Sequence, residues 1–304
     1  VHRANLFALL AMVCWGTAYV PSAWLAQSIG PFGAAAWRLG LAGGVLWVIA
    51  AVRGHGAPRG IRIELLIVLA LAQTTVFYGA TFWGIAHEGA GLASVLANSD
   101  PLFVAILAVG LLGEHLRPLQ RVGLVVGFVG VAVAVCTKGL VPPHPTLAAI
   151  IVVIGAFAWA AGTIVAARAI RDQSHPWSLA AWQLMIGAVG LALLTPFDHA
   201  AHVPTHPRDI GLVLVLGVVG SAAPTALFYF ALRTGSASEV SAWFFLVPIL
   251  GVFTAWPLLG EAPTITLWIG LVGVSIGLWC VLRQRSRLVA SRSVMTNPQP
   301  PKLP

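Results

Sequence analysis

Ten apolar stretches, each close to the length that a helix needs to cross a bilayer, follow one another along the chain with only short polar breaks between them. A spanning helix takes about 20 mainly apolar residues. The stretches are Ala4–Gln27, Phe32–Val52, Glu64–Ala86, Ala90–Leu112, Leu119–Cys136, Thr146–Ala169, Trp177–Leu194, Ile210–Leu232, Ala237–Leu259 and Ile265–Leu282. Little is left for a water-soluble domain. Backbone polar groups in lipid are satisfied either within a helix or around a closed barrel, and a barrel would show alternation instead of continuous runs. The expectation is an all-α membrane protein of ten transmembrane helices.

Composition narrows the function classes. Of 304 residues, 59% are hydrophobic and 9% charged, against about 25% charged in a soluble domain. The net charge of +8 does not point to nucleic acid, because the basic residues are scattered over the breaks between stretches. They read as orientation signals. With the N-terminus inside, the cytoplasmic segments carry Arg3, Arg53, Arg59, Arg62, Arg117, Arg121, Arg168, Arg171, Arg233 and the tail from Arg283 to Lys302, while the opposite side has Lys138 and Arg208. Both termini are therefore expected in the cytoplasm of a bacterial-type inner membrane. The first stretch is too long for a signal-peptide core and lacks a small-residue cleavage site, so it is expected to stay. The first residue is Val1, and residues are expected to precede it.

The halves repeat. Ala35-Ala36-Trp37-Arg38-Leu39 recurs as Ala180-Ala181-Trp182-Gln183-Leu184, and Pro101 followed by Leu111-Leu112-Gly113-Glu114 recurs as Pro248 followed by Leu258-Leu259-Gly260-Glu261. In that register Ala90 falls on Ala237, Ser94 on Ser241, Gly123 on Gly270 and Gly130 on Gly277. Five spans is an odd number, so the second copy enters the membrane inverted. The expected organisation is a first repeat over residues 1–139, an inverted second repeat over 140–285, and a basic tail over 286–304. Such symmetry suits a midplane site opened first to one side and then to the other.

Trp15-Gly16-Thr17, Trp159 with Gly162-Thr163, and the two Leu-Leu-Gly-Glu runs resemble the EamA-type branch of the drug/metabolite transporter superfamily over nearly the whole chain. Its amino-acid exporters of the YddG type are the nearest comparison. The resemblance implies an exporter with helices one, three, four, six, eight and nine around a cavity and helices five and ten outside it. The four-helix multidrug relatives use a carboxylate in their first helix, and neither Ala4–Gln27 nor Thr146–Ala169 contains one.

Near the midplane lie Trp15, Thr17, Gln73 to Tyr78, Asn98 to Asp100, Trp159, Thr163, Ser221 and Ser241 to Phe245. An aromatic cavity with a few placed polar groups is the usual solute site. The candidate substrate-binding residues are Trp15, Thr17, Tyr78, Ser94, Asn98, Trp159, Thr163, Ser241 and Phe245, with packing between helices as the alternative for each. Pro21, Pro101, Pro224 and Pro248 interrupt spans and are candidate hinges or fixed kinks. Arg38 and Asp100 are opposite charges inside spans, separated in depth by roughly 6 Å at 1.5 Å per residue. They are expected to form an ion pair, or else Asp100 couples transport to a proton or a substrate amine. Glu114 and Glu261 read as helix-end caps. Cys14, Cys136 and Cys280 lack paired spacing, and the loop with His199, His202 and His206 lacks an established metal-ligand spacing. The functional expectation is a secondary transporter of amino acids or related metabolites, with a drug or nucleotide-sugar carrier as the alternative and a channel or intramembrane enzyme behind it. A small solute and membrane lipid are the expected partners, with no nucleic acid, metal or cofactor.

Overall fold

The computed structural model describes residues 2–113, 116–135, 146–198, 202–260, 262–277 and 279–280. Glu114, Cys136, Lys138, His199, Glu261 and the basic tail lie outside them. The described chain is helical, with no strand.

The first stretch is two helices, α1 (His2–Thr17) and α2 (Tyr19–Ile29), bent by 41°. Then come α3 (Pro31–Val52), α4 (Ile63–Ala70), a π-helical turn over Leu71–Val76 and α5 (Phe77–Glu88). The fourth span is α6 (Ala90–Ala97) followed by α7 (Asp100–Leu112), and α8 (Pro118–Val135) ends the first half. In the second half, α9 (Leu147–Arg171) and α10 (Pro176–Ala192) precede α11 (Pro207–Gly217), a π-helical turn over Val218–Ala222 and α12 (Ala223–Thr234). The ninth span is α13 (Ala237–Ser241), a 3₁₀ turn over Ala242–Phe245 and α14 (Leu246–Leu259). The last described helix, α15, runs over Ile265–Gly277. Among the described residues seven helices are long and apolar enough to cross a membrane, or eight if the bent pair is one span. Pro118–Gly130 and Ile265–Gly277 are shorter apolar helices in the places expected for spans five and ten.

The two halves break their helices at matching places. In the register that puts Ala90 on Ala237, the π turn beginning at Leu71 falls on the one beginning at Val218, and the interruption at Asn98 falls on Phe245. Each Leu-Leu-Gly-Glu run ends its helix with a left-handed glycine, Gly113 at φ 66° and Gly260 at φ 72°, the usual residue for that position because it has no Cβ.

Pro21, Pro101, Pro224 and Pro248 each stand in the first turn of the segment that follows an interruption, at α2, α7, α12 and α14. A missing N–H costs little there. The π turn at Leu71–Val76 forms without a proline.

Glycines bring α8 and α15 together. A Cβ on Gly130 would lie 2.7 Å from the Gly270 carbonyl oxygen, and one on Gly277 would lie 2.6 Å from that of Gly123. Close approach of this kind replaces the hydrophobic effect as the driving force between helices in lipid.

Candidate functional site

A small chamber of about 30 Å³ lies between the halves. That is space for a water or two. Trp15 of α1, Tyr19 and Ser22 of α2, Arg38 of α3, and Phe77, Tyr78, Thr81, Phe82 and Ile85 of α5 contribute from the first half, together with Ala18 and Asn98 at the two interruptions. Trp159 of α9, Phe244 and Val247 close it from the second half. A larger apolar groove between α3, α10 and α11, lined by Trp37, Met185 and Leu214, carries no charged side chain.

Aromatic rings fill most of the space. Trp15 stacks on Phe244 at 5.2 Å and meets Trp159 edge-on at 5.5 Å, and Phe77 lies 4.7 Å from Trp159. Phe228 packs beneath, 5.7 Å from Trp15 and 5.4 Å from Phe244. Such pairs favour edge-to-face and offset contacts over a perfect sandwich. The chamber is contracted, so these side chains must separate to admit a solute the size of an amino acid.

Asn98 and Arg38 bring hydrogen-bonded polar groups to the chamber. Asn98 donates to Tyr19 Oη at 3.0 Å and to the Ser94 carbonyl at 2.6 Å. Arg38, buried at 3% exposure, donates from Nε to Ser221 Oγ at 2.5 Å, from Nη1 to Ser22 Oγ at 2.7 Å and from Nη2 to the Gly220 carbonyl at 2.6 Å. Its guanidinium carbon lies 5.5 Å from the ring centroid of Tyr78 and 5.6 Å from that of Phe82.

The expected ion pair is not made. Arg38 and Asp100 are not within ion-pair distance of each other, and both Asp100 carboxylate oxygens are buried without a hydrogen-bond partner. Depth along a helix leaves the direction of a side chain around it open: Arg38 is turned toward α2 and the π turn at Val218–Ala222, where two hydroxyls and a carbonyl occupy it.

Of the expected substrate-binding residues, the structure brings Trp15, Tyr78, Asn98 and Trp159 together on the chamber. The others stand elsewhere. Thr17 is exposed on the outer surface, its hydroxyl turned back to the Val13 and Cys14 carbonyls; two residues from Trp15, it falls about 200° around the helix. Ser94 packs against Gly251 and donates to the Gly91 carbonyl. Thr163 accepts from Gln73 Nε2 at 2.9 Å within a buried network. Ser241 Oγ is buried without a hydrogen-bond partner and off the chamber. Phe245 points at Gly127 of α8 while Phe244 takes its place, because a 3₁₀ turn has three residues per turn and shifts the facing residue by one.

Tyr19, Ser22, Thr81, Phe82 and Ile85 were missed, although helical spacing points to them. Trp15, Ala18, Tyr19 and Ser22 follow i, i+3, i+4, i+7, as do Tyr78, Thr81, Phe82 and Ile85. Span two lines the chamber through Arg38, and span eight only supports it from behind.

Comparison with known proteins gives the class. The model of the EamA-like transporter family matches residues 2–136 and 146–283. This multi-pass chain belongs to that family of transporters. It is 27% identical over 277 residues to the WAT1-related protein At3g02690, chloroplastic, of Arabidopsis thaliana, covering 88% of this chain and 66% of that protein, just under two thirds of its length. It is 24% identical over 291 residues to a probable terminal-alkyne amino-acid exporter of Streptantibioticus cattleyicolor, covering 95% and 96%. A solved crystal structure, 18% identical, shares the fold at a TM-score of 0.73 over 94% of this chain and 98% of that one.

Proposed function

We propose that the protein is a secondary transporter that exports amino acids or related small metabolites across a bacterial inner membrane by alternating access. The observation that carries this reading is the contracted aromatic chamber shared by the two halves, with helix interruptions at matching positions in both. Opening the chamber to one side at a time needs hinges. The interruptions at Ala18, Leu71–Val76, Asn98, Val218–Ala222 and Ala242–Phe245 supply them, with Pro21, Pro101, Pro224 and Pro248 fixing where each second segment starts. The working units are residues 1–139 and 140–285 in opposite orientations, followed by a cytoplasmic tail over 286–304. The Lys and Arg distribution puts both termini inside. Amino acids are favoured by the named activity of the Streptantibioticus relative.

In proteoliposomes, uptake of a radiolabelled aromatic amino acid is expected to saturate and to rise when unlabelled amino acid is loaded on the opposite side. Trp159→Ala is expected to lower that flux at least tenfold at equal protein amount. Flux that never saturates and ignores the opposite side overturns the carrier reading.

A further inference from the structure

We propose that Arg38 is the counter-ion for a carboxylate on the solute that enters the chamber. The proposal rests on the transporter reading above and names its substrate class: an organic acid or amino acid with an apolar body. A guanidinium has five N–H groups, and three of these are engaged with Ser221, Ser22 and Gly220. One remains on each terminal nitrogen, the number that the two oxygens of a carboxylate take up in a forked contact.

None of the side chains lining the chamber is acidic, and Arg38 has no ion-pair partner among the described residues. Asp100 acts on Tyr19 from outside the chamber and does not line it. Trp159 Nε1, a donor only, and Thr81 Oγ1 line it and are buried without a hydrogen-bond partner. A positive charge beside unfilled donors and aromatic walls recognises an anionic head on an apolar body.

The second half of the chain supplies an internal control. The residue in the place of Arg38 is Gln183, which donates to Thr74 Oγ1 at 2.7 Å, and Thr74 is the repeat-mate of Ser221. A neutral amide therefore suffices to tie this helix to the opposite π turn. The charge at Arg38 does something besides, and charges inside a membrane are kept where they serve a site.

Solutes of one shape and different head groups test this: 3-phenylpropionate, L-phenylalanine, 3-phenylpropionamide and 2-phenylethylamine, with the isohexanoate and leucine series as an aliphatic counterpart. Thermal stabilisation of the purified full chain gives the half-saturating concentration of each. In one series or both, the acids are expected to bind at least tenfold tighter than the amide and the amine. Binding by 3-phenylpropionate as well as phenylalanine assigns a general acid site, whereas binding by phenylalanine alone assigns an amino-acid site. The double variant Arg38→Gln/Phe82→Tyr, which copies the neutral arrangement around Gln183 and Tyr229, is expected to fold and to lose the gap between acid and amide. Arg38→Lys keeps part of it.

An amide or amine that binds as tightly as the acid, a gap that survives in the double variant, or no binding by any acid overturns the proposal. Should Trp159→Ala abolish binding while the gap survives loss of Arg38, the chamber stands and the carboxylate site falls. Should neither substitution change binding, the chamber itself is not the solute site.

Discussion

Arg38 and Gln183 occupy the same place in the two repeats and make the same first contact, yet one is charged and unfilled and the other neutral and filled. Each reaches from its half to a hydroxyl in the π turn of the other half: Arg38 to Ser221 at 2.5 Å and Gln183 to Thr74 at 2.7 Å. Their surroundings then diverge. Gln183 meets Tyr229 Oη at 2.8 Å, and Tyr229 also reaches Gln73 Oε1 at 2.8 Å, which leads on to Thr163 and the Trp159 carbonyl. The repeat-mate of Tyr229 is Phe82, which offers Arg38 only a ring face. A closed network of neutral groups fastens one side, while the other side keeps a cation at the edge of a chamber. Symmetry shows what the fold requires, and departure from it shows where the fold has been adapted to a task.

Placing a charge in the filled network breaks the comparison most severely. Gln183 is fully buried, and a guanidinium there costs about 2.5–3.5 kcal/mol as a membrane-centre charge and about 1–3 kcal/mol more from overpacking. Gln183→Arg is expected to fall below one tenth of the wild-type yield of monodisperse protein, measured by size-exclusion chromatography. Equal yield would mean that the two positions are interchangeable and that the charge at Arg38 carries no special meaning.

Much of this was legible in the chain, and the losses have identifiable causes. Apolar length located the helices, so that Ala90–Leu112 and Ala237–Leu259 match the expected stretches, and the repeated Ala-Ala-Trp and Leu-Leu-Gly-Glu runs aligned the halves. The π turns left no mark, because Leu71–Val76 and Val218–Ala222 share no residue pattern that distinguishes them from α-helix. The 3₁₀ turn at Ala242–Phe245 moved the chamber residue from Phe245 to Phe244. Arg38 stands out in the sequence as a charge inside a span, but its partners come from α2 and the π turn at Val218–Ala222, and depth along a helix says nothing about which neighbour it faces. Spacing from Trp15 and Tyr78 held the rest of the site: the Tyr78 stripe lies on the unbroken α5, and the Trp15 stripe keeps its spacing across the bend at Ala18.

Removing the shared hydroxyl from each side separates structure from function. Ser221→Ala frees the Arg38 Nε–H, and Thr74→Val takes the partner from Gln183 Nε2. A hydrogen bond is worth about 0.5–1.5 kcal/mol net, or about 1.5–3 kcal/mol with a charged group. On the Arg38 side the loosened guanidinium can still turn into the chamber, so Ser221→Ala is expected to shift the preference for acids over amides severalfold with a small change in Tm. Thr74→Val takes a hydrogen-bond partner from the fully buried Gln183 amide and is expected to lower Tm by a few degrees, leaving the preference unchanged. The reverse pattern would assign the solute site to the Gln183 side.

The smallest effect belongs to a pair of rings outside the spans, and it shows what the two polar ties do not govern. His175 precedes α10, where its ring accepts from the Trp177 N–H at 3.4 Å, stacks on His55 at a centroid distance of 3.5 Å, and stands near Arg53 and Arg233. Burial first, then the neighbouring His55, Arg233 and Arg53, hold its pKa down to about 4 from the ordinary 6.5. The folded protein therefore keeps this ring neutral through a range in which the unfolded chain takes up a proton. Stability is expected to decline as pH falls below about 6.5 and to level off near 4, by at most one proton's worth of slope. Solvent screening keeps the change small at a ring that is only partly buried. Replacing the cap by a neutral side chain of the same hydrogen-bonding kind, His175→Asn, is expected to flatten the dependence of Tm on pH across this window while leaving the acid preference intact. A slope unchanged in His175→Asn would locate the proton uptake elsewhere. An altered acid preference would instead tie the outer rings to the Arg38 side of the chamber, and the contrast between the two halves would then extend beyond the membrane-buried network.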